Sequence, residues 1–189
     1  MKYPISIALF LVLSVCGAVG GEELKSHPFH YEASNNLVKA NPDNYAGRIA
    51  NPRAVIELFR HKEEPKALFS IGGRTVTFDF ATLCKGIQAL PDTIAERNPG
   101  AHSITAKKIE LGDHKREFVV IRFKTKHEEE EIEVINLITH EGRDQFHFTV
   151  SFPVGTTKPK IDDLLMAIQT LKTKQANKAE MATPRKPSE

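Results

Sequence analysis

Tryptophan is absent from this 189-residue chain, and there are only 3 tyrosines and 2 cysteines. The phenylalanines fall mostly on apolar strand faces and do not alternate with basic residues, so the chain lacks the aromatic platform on which unpaired bases stack. No broad excess of one charge is present either. The formal net charge is +2, with Lys and Glu interspersed, which implies no basic surface for nucleic acid. No Asn-x-Ser/Thr acceptor occurs. No apolar run approaches the roughly 20 residues that a membrane-spanning helix needs, and no membrane span is expected.

The longest apolar run, residues 5–15, follows Lys2 and precedes the small residues Gly17, Ala18 and Gly20. This is the pattern of a secretory signal peptide over 1–20, so the protein is expected to be secreted and extracellular, its mature chain beginning near Gly21 or Glu22. Cleavage there removes Cys16 and leaves Cys84 alone, which rules out an intramolecular disulfide. Residues 21–44 read as a polar lead-in with a short helix near 31–39. His27 and His30 have a metal-compatible spacing, but Pro28 and the missing carboxylate or thiolate partners favour a solvated segment. Glu128, Glu129, Glu130 and Glu131 beside His127 match no calcium loop and suit a solvated hairpin tip. No metal and no cofactor is expected. One α+β domain is expected over 45–172, and a disordered tail over 173–189, where apolar residues are scarce.

Residues 103–153 contain four strand-like runs in succession. Over 117–126, Val119, Ile121 and Phe123 share one face, opposite Arg122, Lys124 and Lys126. Over 131–140, Ile132, Val134, Asn136, Ile138 and His140 share one face, with Glu131, Glu133, Ile135, Leu137 and Thr139 on the other. A turn at 127–130 sets Lys126 opposite Glu131, Lys124 opposite Glu133, Phe123 opposite Val134 and Ile121 opposite Asn136. Slipping this register by one residue would oppose apolar and charged side chains throughout. A longer turn over 141–145 then places Phe146, Phe148, Val150 and Phe152 on the face of Ile138 and Asn136, with Val150 beside Asn136. A break of phase between Ala106 and Ile109 predicts a bulge near Lys107 and Lys108.

Outside the meander, Asn51 followed by Pro52 signals a helix start, Val55, Ile56 and Phe59 continue at helical spacing, and Pro65 ends the helix. Gly72 and Gly73 read as a turn between short strands over 67–71 and 75–80. Asp79 caps a helix whose stripe is Phe80, Leu83, Cys84, Ile87 and Leu90, which makes Cys84 a buried, free thiol. Pro91 ends or kinks that helix. Ile161, Leu164, Leu165, Ile168 and Leu171 mark a final docked helix.

The runs VIELF, ALFSIGGRTVTFDFATLCKGIQALP and SITAKKIELG, followed by EFVVIRF and IEVINLITHEGRDQFHFTVSF, resemble short secreted nematode-type members of the nuclear-transport-factor-2-like family. The resemblance covers about 50–153. It implies an α+β fold in which a curved antiparallel meander, packed by helices, encloses a cone-shaped pocket, here with a C-terminal helix added. Some members use the pocket for isomerase or dehydratase chemistry and many for binding alone. The added helix also fits an alternative, a PsbP-like α/β fold.

Enzymes of the pocketed fold place Asp, His or Tyr in the cone. The face predicted to line it has neither carboxylate nor tyrosine, which leaves Asn136 and His140 as its polar, ligand-binding candidates. The first reading is therefore a non-catalytic binding module, taking a small apolar molecule or a protein, with a homodimer through the sheet as a further partner. The alternative is a secreted isomerase- or hydrolase-like enzyme with His140 as base.

Overall fold

The structure, a computed structural model, describes residues 22–45, 48–49, 52–111 and 115–173. The expected signal peptide, Asn51 and positions 174–189 of the expected tail lie outside them. Among the described residues, a seven-stranded antiparallel sheet has the order β2-β3-β4-β8-β7-β6-β5, with a separate two-stranded pair β1-β9. These strands are β1 Phe29–His30, β2 Leu37–Lys39, β3 Val55–His61, β4 Leu68–Thr75, β5 His102–Leu111, β6 Arg116–His127, β7 Glu130–Glu141, β8 Asp144–Pro153 and β9 Lys172–Thr173. Helices α1 Phe80–Lys85 and α2 Leu90–Arg97 carry the chain from β4 to the far edge at β5, and α3 Lys158–Gln169 follows β8. The expected α+β class, an antiparallel meander packed by helices, is the observed one.

The predicted register of β6 against β7 is the one formed, with Lys126 opposite Glu131, Lys124 opposite Glu133, Phe123 opposite Val134 and Ile121 opposite Asn136. The next hairpin is tighter than expected. Glu141 pairs with Asp144 across Gly142 and Arg143, Gly142 taking a positive φ of 62°, and this changes the parity of β8. Asn136 faces Thr149, while Val150 faces Ile135. Phe146, Phe148, Val150 and Phe152 therefore lie on the face opposite to Asn136, together with Leu137 and Val120. Since side chains alternate with period two, a change of one residue in the turn moves the whole set across the sheet.

Two apolar layers result. On the front face Leu83, Leu90 and Ile94 of α1 and α2 cover Val119, Ile121, Phe123, Val134 and Ile138. On the back face Leu164, Ala167 and Ile168 of α3 cover the β8 phenylalanines, Phe69 and Ile71. The docked terminal helix is as expected. Asp79 caps α1, its carboxylate accepting from the Thr82 N–H at 2.8 Å. Pro91, within the first turn of α2, begins a new helix, because a proline there loses no intrahelical bond. Cys84 is half-buried on the α1 stripe and free.

Three local expectations are corrected. Pro52–Ala54 form one 3-10 turn, and Val55–His61 is a strand paired with β4. A bulge between Val55 and Glu57 lets Ile56 and Phe59, three residues apart, reach the same back-face core while Val55 packs with Leu58, and a run of β-branched and aromatic residues suits the sheet. Gly72 and Gly73 sit inside β4, not in a turn. A Cβ on Gly72 would stand 3.0 Å from the Ala54 carbonyl oxygen, and one on Gly73 would stand 3.0 Å from the Phe146 ring. The glycines thus admit a close approach of neighbouring chain within the strand. The irregularity in β5 falls between His102 and Thr105, where Ser103 has φ 53°, and pairing is regular past Lys107 and Lys108.

The described part of the polar lead-in belongs to the fold. Positions 31–36 contain no helix, and Leu37–Lys39 is an edge strand. Phe29 is 1% exposed, meeting Phe146 and Phe148 edge-on with ring centres 5.0 and 5.4 Å away. Arg116 lies over its ring, 5.0 Å from the centroid.

Candidate functional site

The front face is apolar at its flanks and polar in between. One row across the sheet reads Ile121, Asn136, Thr149, Ser70 and Leu58, so three polar side chains lie between two apolar ones. Asn136 is 2% exposed. Its Nδ2 donates to Thr149 Oγ1 at 3.1 Å, and its Oδ1 is buried without a hydrogen-bond partner. Replacing Asn136 with Leu, similar in size, removes that unsatisfied acceptor and leaves a hydroxyl that can rotate. The variant is expected to be more stable by about 1 kcal/mol in urea unfolding.

At the end of this seam four side chains lock one another's protonation. Arg74 Nε lies 3.2 Å from one side-chain atom of Gln145, and because a guanidinium only donates, that atom is Oε1. His147 Nε2, 2.9 Å from the same oxygen, must then donate. His140 Nε2, 3.0 Å from Gln145 Nε2, must accept. Both imidazoles are held neutral. Burial pushes the His147 pKa down to about 3, with Arg74 and His140 acting in the same direction. Burial also lowers that of His140, further lowered by Arg74 and opposed by Asp79.

His140 therefore has its basic nitrogen engaged by an amide and its protonated Nδ1 buried without a partner. It lies against Phe78 and Phe80, ring centres 5.7 and 5.8 Å away, beside a shallow recess of about 320 Å³. The two residues share the front face, as expected, but among the described residues the recess at His140 is not lined by Asn136.

A larger cavity, about 460 Å³, opens on the back face between α3 and the edge of the sheet. Its floor is Val120, Ile135 and Leu137. Ile109 and Leu111 of β5 form one wall, and Leu165 and Ile168 of α3 form the other. Thr105, Lys107, Arg122 and Gln169 complete the lining. The groove exists because α3 covers β8 and its neighbours but stops short of β5. Its floor residues were readable as the apolar members of an otherwise charged strand face.

Two further clusters tie the N-terminal segment to the sheet and to α3. Glu57 accepts from Tyr31 and faces His27 Nε2 at 3.3 Å and Lys39 Nζ at 3.4 Å. Burial pushes its carboxyl pKa up, but the bonds from Tyr31 and His27 outweigh that and hold it below the ordinary range. Burial, aided by the Glu57 bond, moves the Tyr31 phenol upward. His27 is thus part of a carboxylate cluster, and among the described residues no group of three metal-ligating side chains occurs.

Asp163 of α3 receives bonds from Ser34 and Asn36, and His61 Nε2 stands 3.2 Å from its Oδ2. A serine, a histidine and an aspartate meet here with the wrong connectivity for nucleophilic catalysis. Ser34 is bonded to the carboxylate instead of the imidazole, and His61 Nδ1 accepts from the Glu63 N–H at 3.2 Å. The cluster is a clamp. The Ser34 bond, followed by those from Asn36 and His61, keeps the Asp163 pKa low against a smaller opposing effect of burial. Burial moves the Cys84 thiol pKa upward, away from the reactive thiolate.

No protein-family profile matches the chain, and no curated protein matches it. Several solved structures are similar to it. A Bacteroides thetaiotaomicron protein is 13% identical over 81% of this chain, with a TM-score of 0.48, and the present chain spans about half of that protein, 48%. LpqN of Mycobacterium tuberculosis, involved in cell envelope biogenesis, is 9% identical, covering 76% of this chain and 82% of its own, with a TM-score of 0.52. The cyanobacterial PsbP protein CyanoP of Synechocystis is 12% identical over 84% of this chain and 98% of its own, with a TM-score of 0.51. At these identities the likeness concerns the fold alone. The helix expected over 55–59 is a strand. The chain has a PsbP-like α+β fold, the alternative that its terminal helix suggested.

Proposed function

We propose that this protein is a secreted, non-catalytic binding module that takes a small apolar molecule into the groove between α3 and strands β5, β6 and β7. Secretion is carried by the signal-peptide pattern of residues 1–20. Binding is carried by one observation: the lining of the groove is apolar at its floor and on both walls, while its polar members are confined to threonine, lysine, arginine and glutamine. A volume of about 460 Å³ lies within the usual range for small-molecule sites. No carboxylate, histidine, cysteine or tyrosine is among the lining residues, and the base candidate His140, with its lone pair engaged, lies on the opposite face.

The test is to fill the groove. Leu165 is half-buried on α3, so Leu165→Trp adds volume mainly toward the cavity. The protein, which has no native tryptophan, is expected to bind the neutral dye Nile red, and the variant to bind it at least about tenfold more weakly with an unchanged unfolding midpoint. Equal dye binding by both proteins would reject the groove as the site.

A further inference from the structure

The lining of the groove is polarised along the strands. Reading across β5, β6 and β7, one row is Thr105, Arg122 and Ile135, and the next is Lys107, Val120 and Leu137. Ile109 and Leu111 follow further along β5. Cationic side chains therefore mark one end of a cavity whose other end is hydrocarbon. The charge continues beyond the cavity on the same face, where Lys124 and Lys126 follow Arg122 along β6, opposite Glu133 and Glu131. Four cations, Lys107, Arg122, Lys124 and Lys126, thus meet two carboxylates, Glu131 and Glu133, leaving two positive charges in excess at this end. Arg122 bonds Glu133 through Nε, which leaves the remaining guanidinium N–H groups as further donors. The Glu131 carboxylate is shared with His102 at 3.0 Å.

From this polarity we propose that the ligand is a monoanionic amphiphile, a free carboxylate with a hydrocarbon tail. Its head lies between Arg122 and Lys107, and its tail runs over Val120 and Leu137 toward Ile109 and Leu111. A carboxylate matches the site for two reasons. A guanidinium and an ammonium on adjacent rows supply charge-assisted donors to two oxygens. The excess charge beyond them draws an anion to this end of the groove and disfavours a cation. The proposal rests on the reading of the groove as a ligand site and adds the class of ligand.

The experiment measures displacement of Nile red from the intact secreted protein by three compounds of equal tail length: dodecanoate, dodecanol and dodecyltrimethylammonium. Dodecanoate is expected to displace the dye at concentrations about tenfold lower than dodecanol, and dodecyltrimethylammonium to be the weakest. Lys107→Glu, an exposed substitution, is expected to abolish the advantage of dodecanoate over dodecanol, and an advantage kept in full would overturn the placement of the head group. If dodecanol matches dodecanoate, the groove is a ligand site but the head-group assignment is overturned. If none of the three displaces the dye, the groove reading fails and this proposal with it. Sedimentation velocity with and without dodecanoate closes the remaining route: a dimer that dissociates as dodecanoate binds would put a second copy in the groove and overturn the proposal.

Discussion

Replacing Phe148 with alanine is expected to lower the unfolding free energy by about 3–5 kcal/mol, the range for deleting a large aromatic side chain from a packed core. Phe148 is fully buried. On the back face it stands opposite Ile71 on one side and Leu137 on the other. Its ring meets Phe29 and Phe118 edge-on, at 5.4 and 6.1 Å, so truncation leaves a void that side chains from four strands would have to fill. Urea unfolding measures the loss. A double-mutant cycle adds the direction in which the ring points: Phe148→Ala and Phe118→Ala should couple by about 0.5–1.5 kcal/mol, whereas Phe148→Ala and Asn136→Ala should be nearly additive. Coupling to Asn136 in place of Phe118 would mean that β8 has the opposite parity.

That parity separates what the sequence made legible from what it concealed. The β6–β7 pairing was readable because charges and apolar residues alternate on both strands, so that one register satisfies both faces. For β8 the same alternation is present, but it does not say which face is which. Phe146, Phe148, Val150 and Phe152 are buried on one side, and Gln145, His147, Thr149 and Ser151 are buried on the other. With both sides covered, only the length of the turn decides. Gly142 at positive φ, one residue after Glu141, was the available signal for a two-residue hairpin.

The groove was hidden for a related reason. The strand face carrying Arg122, Lys124, Lys126, Glu131 and Glu133 reads as solvated at its charged end, yet Val120, Ile135 and Leu137 continue the same face as an apolar surface. Whether that surface is covered or open depends on where α3 comes to rest. Pairing between Phe29–His30 and Lys172–Thr173, together with the Asp163 clamp, draws the helix toward the β3 side of the sheet. Such contacts over more than a hundred residues leave no periodic trace in the chain. His140 and Asn136 were correctly placed on one face. Their chemistry depended on Gln145 and Arg74, whose orientations follow from the bonds they make and not from their spacing.

Acidification is expected to cost the protein about 4–5 kcal/mol of stability through His147 alone. The folded-state pKa is about 3, against an ordinary value of 6.5. Between those values the unfolded chain binds a proton at this site and the native protein does not, so stability is fully present above pH 6.5 and falls as pH drops toward 3. The physical cause is specific. A protonated His147 would carry its second N–H on Nδ1, which is buried without a partner, and its charge would lie near Arg74. Nor can the network rearrange to help, because Arg74 holds Gln145 Oε1 in place and that oxygen already accepts from His147. His140 resists in the same way, since a proton on its Nε2 would meet the Gln145 amide. The depressed carboxyls of Glu57 and Asp163 add losses of the same sign at lower pH, as each is neutralised and its bonds weaken. Urea midpoints measured from pH 7 to pH 3.5 should therefore fall steeply in the wild-type protein and less steeply in His147→Leu, which has no proton to gain at this position. Imidazole C–H shifts of the intact protein give an independent reading: the His147 resonance should show no titration above pH 4. A midpoint near 6.5 for that resonance, or equal slopes for the two proteins, would show that the imidazole finds an acceptor or water when charged, and the buried network would have to be redrawn around it.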